Sequence, residues 1–370
     1  MVPYPPEPRR WAERQSAVDR DDPTITGRLD ADAEAKTVNL ALQGGGAHGA
    51  FTWGVLDRLL EDERLSLDGI SATSAGAMNG AVMLHGWQLG GREGARELLG
   101  RFWRGVADCG QFSLIQPSFF DRLTGNRNLD HSPAYQAFDM LTRTLSPYQL
   151  NPFDYNPLRD LLLHLIDFDR LRQSTTHKLF VSATNVRTGK IRVFGTEELS
   201  VEALLASACL PTLHKAVEID GEHYWDGGFM GNPAMFPLLY RCQASDIVLV
   251  EINPIRIDEV PTTARTIADR MNGISFNATM MREMRTIAFV TRMLDQQRLL
   301  GRTRYRRINF HMIQAEREMA RFGVSSKLNA DWSFLTVLFD LGRATADEWL
   351  ACHFRSLGVD SSVDLQQLFF

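Results

Sequence analysis

Apolar residues fall along this chain in two alternating rhythms. Short runs of strand length recur at VNLALQ, LDGISAT, KLFVSATN, KIRVFG, HKAVEI, EHYW, DIVLVEIN and RRINFHMI. Between the first two, helical spacing of Phe51, Val55, Leu56 and Leu59 predicts a helix over Ala50 to Leu60. A run of small residues predicts another from Ala75 to about Leu89, and further helices are expected at Val201 to Cys209, Thr262 to Leu300 and Asp331 to Phe354. The opening order is β-α-β-α, which favours parallel strands with crossover helices. The expected fold class is α/β, a three-layer sandwich with a mostly parallel central sheet and helices on both faces.

Two stretches break these rhythms. Residues 1 to 36 are rich in Pro, Asp, Arg and Glu with little apolar periodicity, so a mobile N-terminal arm is expected, with folded structure from Thr37. From Cys109 to about Leu171 the chain turns irregular and rich in aromatic residues and proline, as in FSLIQPSFF and SPYQLNPFDYNP. This reads as a helical/irregular cap insertion at about 109–171 inside a catalytic domain spanning 37–313, with 314–370 as a C-terminal helical extension. Long insertions of this kind serve as lids or binding loops, and a plain structural cap is the equal alternative.

Composition narrows the class. With 44% hydrophobic and 23% charged residues the chain has what a sizeable soluble core needs. A formal net charge of −5 leaves no global positive field for nucleic acid, so no nucleic-acid partner is expected. Cys109, Cys209, Cys242 and Cys352 show neither CxxC pairing nor metal-ligand spacing, which fits reduced thiols and no metal site. The N-terminal MVPYPPEPRRWAERQ carries prolines and charges where a secretory signal needs an apolar segment, so a cytoplasmic location is expected. Gly69 to Gly91 is free of Asp, Glu, Lys and Arg, but Ser71, Thr73, Ser74, Asn79 and Gln88 make it a buried strand-turn-helix instead of a membrane span.

Three segments carry chemistry. In Ala72-Thr73-Ser74-Ala75-Gly76 a serine stands where a strand turns into a helix, the geometry of a nucleophile elbow. The helix behind it points its positive end at developing negative charge. In Gly44-Gly45-Gly46-Ala47-His48-Gly49 a loop after the first strand offers backbone N–H groups to an oxyanion. Gly44, Gly46 and Gly49 also fit the dinucleotide pattern G-x-G-x-x-G, but that fold wants an acid ending the second strand, where Ala72-Thr73-Ser74 stands. Asp226, in Trp225-Asp226-Gly227-Gly228, follows VEIDGEHYW, whose Asp220-Gly221 predicts a tight hairpin that delivers the acid at a strand end.

A glycine loop after strand one, a serine elbow after strand two and D-G-G far downstream together resemble the patatin-like phospholipases, over roughly Val38 to Ile313. The resemblance implies a patatin-like fold and a serine acyl hydrolase of phospholipids or other acyl esters, working without cofactor or metal. It implies a Ser74–Asp226 dyad in place of a triad, an acyl-enzyme on Ser74, and an oxyanion held by the N–H groups of Gly44, Gly45 and Gly46. Two positions depart from the family pattern: Ala72 replaces the first glycine of the elbow, and His48 stands where the loop often carries Arg or Lys. An acyltransferase using the same acyl-enzyme, and a lipid-binding protein with impaired catalysis, stay open as alternatives.

Other features have two readings. A histidine base should follow the acid in the order of the α/β-hydrolases, and His311 and His353 do; His311, in INFHMI, reads as a core or strand-face residue. Ser207 to Pro211 reads as packing ahead of the hairpin, and Phe51 and Trp53 as acyl-pocket lining or ordinary core. From Arg282 to Arg307, eight arginines stand against Glu283 and Asp295, a local charge of about +6. That stretch is either a peripheral contact with lipid phosphates or a solvated helix face.

Overall fold

The central strands are buried on both sides, which is why each reads as an unbroken apolar run instead of an alternating one. A computed structural model describes residues 35–111, 116, 126–257, 259–296 and 306–369. The strands are β1 (Lys36–Leu42), β2 (Leu65–Ala72), β3 (Lys178–Asn185), β4 (Ile191–Phe194), β5 (Val217–Ile219), β6 (Glu222–Asp226), β7 (Asp246–Val250) and β8 (Asn309–Ile313). Each coincides with one of the expected runs. They form one sheet in the order β5-β6-β3-β2-β1-β7-β8, with β4 also paired to β3. The stretch from β3 to β8 is parallel, and β4, β5 and β6 join it antiparallel.

The helices are α1 (Gly49–Glu61), α2 (Ala75–Gln111), α3 (Pro133–Thr144), α4 (Pro147–Leu150), α5 (Pro157–Leu165) and α6 (Phe168–Arg172). After β3 come α7 (Val201–Ser207), α8 (Phe236–Arg241), α9 (Ala264–Asp295), α10 (Glu316–Met319), α11 (Trp332–His353) and α12 (Leu365–Phe369). Val38, Leu40 and Val248 face Leu56, Leu59 and Leu60 of α1, Met83 of α2 and Trp349 of α11. Their strand neighbours Ala41, Ile247 and Leu249, with Phe310, face the other way, onto Leu238 of α8, Met280, Met284 and Ile287 of α9, and Phe369 of α12. This alternation gives the three layers.

The small-residue helix ends near Leu89, as expected: Gly90 (φ −155°) and Gly91 (φ 62°) leave the helical conformation. A second helical stretch, which the sequence reading does not place, follows within α2 and buries Ala95, Leu98, Leu99, Phe102 and Trp103 at helical spacing. The insertion is helical in its described part, with Pro133, Pro147 and Pro157 in the first turn of α3, α4 and α5, where a missing N–H costs nothing. Finally, the C-terminal segment is built into the same compact unit: α11 lies on α1, with Trp53 and Phe339 rings 4.0 Å apart and Arg343 paired with Asp57 and Glu61. The expected mobile arm, up to residue 34, and nearly all of FSLIQPSFF lie outside the described residues.

One detail of strand pairing sets up the site. Val181 of β3 pairs with Ala72 of β2 on one side and Phe194 of β4 on the other. Two residues on, Ala183 pairs with Arg192 of β4 and with Asp226 of β6. β4 therefore keeps one edge of β3 throughout, and β6 takes over the other edge where β2 ends. The C-terminal ends of β2 and β6 meet head to head along β3, two residues or about 7 Å apart.

Candidate active site

Just beyond Ala72 the chain turns through Ser74 directly into α2. Ser74 takes a φ of 53°, a left-handed conformation that non-glycine residues adopt only where the surroundings enforce it. The enforcement is visible. Ser71 Oγ donates to the Ala234 carbonyl at 2.5 Å, Thr73 Oγ1 donates to the Gly231 carbonyl at 2.7 Å, and the Ser74 N–H donates to Ser207 Oγ at 2.9 Å. Ala72 is fully buried with its methyl facing Gly80 of α2, where there is no side chain to oppose it. The departure from glycine is thus accommodated by the helix.

Asp226 arrives from the opposite direction. The β5–β6 hairpin turns on Asp220 and Gly221, both with positive φ (53° and 77°), as Asp-Gly turns of this type require. The Asp226 backbone is tied at both ends: its N–H donates to the Cys209 carbonyl, and its own carbonyl accepts from Thr184 Oγ1, each at 2.8 Å. Its carboxyl is only 1% exposed. Oδ1 accepts from the Gly228 N–H at 2.7 Å, and the Ser74 side chain lies beside the same carboxyl. Burial pushes the Asp226 pKa up to about 7, against the Gly228 N–H, the neighbouring Ser74 hydroxyl and the charge of Lys327, which pull it down. A carboxyl poised near neutrality can take a proton and give it back.

The glycine loop closes the site from above the sheet. A Cβ on Gly44 would lie 2.6 Å from Ser74 Cβ, so only glycine lets the loop approach the elbow this closely. The Gly44 N–H donates to Asn232 Oδ1 at 2.6 Å, and its carbonyl accepts from Asn253 Nδ2 at 2.7 Å. The N–H groups of Gly45 and Gly46 have no acceptor among the described residues. Gly46 is left-handed (φ 60°), and a Cβ there would meet the Lys327 carbonyl at 2.4 Å.

His48 is only 2% exposed, with Nε2 2.7 Å from Ser326 Oγ. Ser326 spends its own proton on the Gly323 carbonyl at 2.7 Å, so the imidazole must donate through Nε2. Burial first, and the Lys327 charge second, lower its pKa to about 3, so it stays neutral. The cation near the loop is Lys327, whose Nζ donates to Asn253 Oδ1 at 2.8 Å.

Glycine loop, elbow and aspartate turn all fall within residues 40–239, which match the family model described as patatin-like phospholipase. The chain belongs to the patatin-like phospholipase family. That membership supports a lipid-hydrolysing activity. Solved structures similar to it include VipD from Legionella pneumophila, at 14% identity over 83% of this chain and 67% of that one, with a TM-score of 0.35. The type III effector ExoU is similar at 13% identity, over 83% of this chain and 54% of its own length, with a TM-score of 0.28. Full-length ExoU in complex with SpcU, from Pseudomonas aeruginosa, gives 12% identity over 90% and 76%, with a TM-score of 0.27. No curated protein matches the chain.

Around this patatin-like core, several residues have roles that their motifs did not announce. Ser207, read as packing, accepts the Ser74 N–H, and Asn232, just past the aspartate turn, accepts the Gly44 N–H. Lys327 lies beyond the matched residues and had no motif at all. His311 is held by Asp246 Oδ1 at Nε2 and by Ser362 Oγ at Nδ1, each at 3.0 Å. It pairs in register with Val248, whereas the elbow follows Ala72, which is level with Leu42 and Val250. Phe51 and Trp53 are core, Trp53 lying against Phe339, Trp103 and Trp332.

In the basic stretch, Arg285 bonds the Phe369 carbonyl, Arg306 the Leu238 and Gln243 carbonyls, and Arg307 pairs with Asp360 at 2.7 Å. Arg282 and Arg292 are exposed, and Arg298, Arg302 and Arg304 lie outside the described residues. Among the described residues, no helix is long and apolar enough to cross a membrane.

Proposed function

We propose that this protein is a serine acyl hydrolase of lipid esters, with Ser74 as nucleophile and Asp226 as the sole base. The observation that carries this reading is Ser74, held in a left-handed elbow, beside the buried Asp226 carboxyl, whose pKa burial has pushed up to about 7. Ser74 Oγ attacks the ester carbonyl as its proton passes to the Asp226 carboxylate. The negative charge moves to the former carbonyl oxygen, which accepts from the N–H groups of Gly45 and Gly46. Gly44 was counted with them from sequence, but its N–H already serves Asn232, so its part is to hold the loop against the elbow. Collapse of the adduct expels the alcohol, which takes the proton from Asp226 and leaves an acyl-enzyme. Water then attacks the acyl carbon, passes its proton to Asp226, and frees Ser74 and the acid.

Each oxyanion donor of this kind contributes roughly 2.7 to 4 kcal/mol to the transition state. The positive end of α2 adds to the same effect. Contact with a lipid surface through the Arg282–Arg307 stretch enters the proposal at Arg282 and Arg292, which are exposed; Arg285 is exposed too but bonds the Phe369 carbonyl.

The test compares wild type with Ser74→Ala and Asp226→Asn, using a fluorophosphonate probe and a p-nitrophenyl acyl ester. Labelling and turnover should be lost in the first variant and nearly lost in the second. Equal labelling in all three would sink the dyad.

A further inference from the structure

Lys327 lies in a short 3-10 segment, Val324–Leu328, far from the three motifs in sequence. Its carbonyl fills the space above Gly46, and its neighbour Ser326 accepts from His48. Its side chain crosses the site to Asn253, whose amide holds the Gly44 carbonyl and whose neighbour Ile252 packs on Gly45. The ammonium also stands 5.8 Å from the Phe276 ring centroid, and that ring lies against Gly228, in the turn that carries Asp226. One cation therefore touches the supports of both the glycine loop and the aspartate.

The Lys327 side chain is half-buried at the wall of a pocket, where an ammonium gives up part of its hydration and gains by finding partners. An ammonium has three donors, yet Asn253 Oδ1 is the one acceptor Lys327 has among the described residues, and no carboxylate lies within 4.0 Å of it. A fold that needed only a contact between these segments would be better served by an apolar side chain or an amide. The loop itself brings no charge, since His48 is neutral. We propose that Lys327 is a positioning residue for the Ser74–Asp226 reaction, supplying from the C-terminal segment the positive charge that the glycine loop lacks. It holds Asp226 as a carboxylate in the free enzyme and counters the negative charge that moves onto the loop when the ester is attacked. The inference rests on the dyad proposed above.

The groups that face this pair are few. Burial lowers the Lys327 pKa to about 8, against Asp226 from the β6 end and Asp269 from α9, both of which favour its charge, and His48 beside it is uncharged. Asp226 faces Lys327, Ser74, the Gly228 N–H and the Cys209 thiol, which burial pushes up to about 12 and so keeps neutral. Among the described residues, removing the Lys327 charge removes the one positive charge that acts on Asp226.

The experiment measures kcat/KM against pH for the full chain with a soluble p-nitrophenyl ester, for wild type, Lys327→Met, Lys327→Arg and Asp226→Asn. Lys327→Met should move the acid limb upward by roughly 1 to 3 pH units and lower turnover at neutral pH by about tenfold or more, as one such unit implies. Lys327→Arg should return most of the limb. A folded Lys327→Met with the limb unmoved would overturn the inference, even if activity fell uniformly. Should Lys327→Met fail to fold, Lys327→Gln, which keeps a donor for Asn253, is read by the same criterion. Asp226→Asn separates the two ideas: if it keeps wild-type turnover the dyad itself fails, and if it is inactive while the Lys327 variants keep the limb, only the role of Lys327 fails.

Discussion

Asn232 Oδ1 accepts the Gly44 N–H at 2.6 Å, which joins the chain just after the aspartate turn to the start of the glycine loop. Both groups are buried, so removing the acceptor strands a donor at a cost of about 1 to 3 kcal/mol. Asn232→Ala should lower the free energy of unfolding by that amount and slow acylation as the loop loses its anchor. Asn232→Asp keeps an acceptor but adds a negative charge beside the oxyanion. It should therefore slow turnover more than its stability loss explains, and denaturation curves run beside acylation rates would show the difference.

Ser207 does the same for the elbow. Ser207→Ala leaves the Ser74 N–H without its acceptor and should slow fluorophosphonate labelling with the overall fold retained, at an energy on the order of 1 to 3 kcal/mol. Circular dichroism would report the fold. Unchanged labelling would mean that the left-handed turn at Ser74 is held by Thr73 and Ser71 alone.

The buried acid predicts an opposition between stability and activity. Asp226 has a folded pKa near 7 against 3.8 for an ordinary aspartate, so it binds a proton more tightly when folded. Below the unfolded value the group has no effect on stability. As pH rises from about 4 to about 7 the unfolded chain gives up the proton first, and native stability falls by something on the order of 4 kcal/mol. Asp226→Asn removes this loss. Its melting temperature should exceed that of wild type by an amount that grows from pH 4 to pH 7 and then levels off.

His311 offers the control for a hidden triad. With Asp246 on one nitrogen and Ser362 on the other, it ties β7, β8 and the segment before α12 together. His311→Gln should destabilise the protein yet leave the labelling of Ser74 intact in the folded fraction. Loss of labelling at full folding would count for a histidine base.

Peripheral contact at Arg282 and Arg292 predicts binding to anionic vesicles that falls steeply with salt, because exposed charges are screened within about 10 Å at 0.1 M. Replacing both with Glu should weaken sedimentation with such vesicles and leave hydrolysis of a soluble ester unchanged. Salt-independent binding would point to another surface.

The sheet and the candidate site residues stood out in the sequence for different reasons. The central strands announced themselves because strands buried on both sides are largely apolar, the part-exposed β4, β5 and β6 by short runs next to turn residues, and glycine, serine and aspartate appeared at turns where few other residues fit. What hid were residues acting through a single polar atom. Ser207 sits in a helix whose small residues suggest packing, and nothing in Asn232-Pro233 says that the amide reaches back to residue 44. Lys327 is one lysine in a segment without pattern, and its meaning depends on a fold that brings residues 46, 253 and 327 together. The helix beyond Gly90 was missed because two glycines mark a bend as well as an end.

The head-to-head meeting of β2 and β6 on one edge of β3 makes the spacing between Ser74 and Asp226 a property of strand register. The insertion between β2 and β3, with its described helices α3 to α6, hangs outside the ruler that measures the gap. That chain can lengthen, shorten or change partners without moving the hydroxyl from the carboxyl. A single residue gained or lost between Val181 and Ala183 would turn the two groups to opposite sides of the sheet and part them at once.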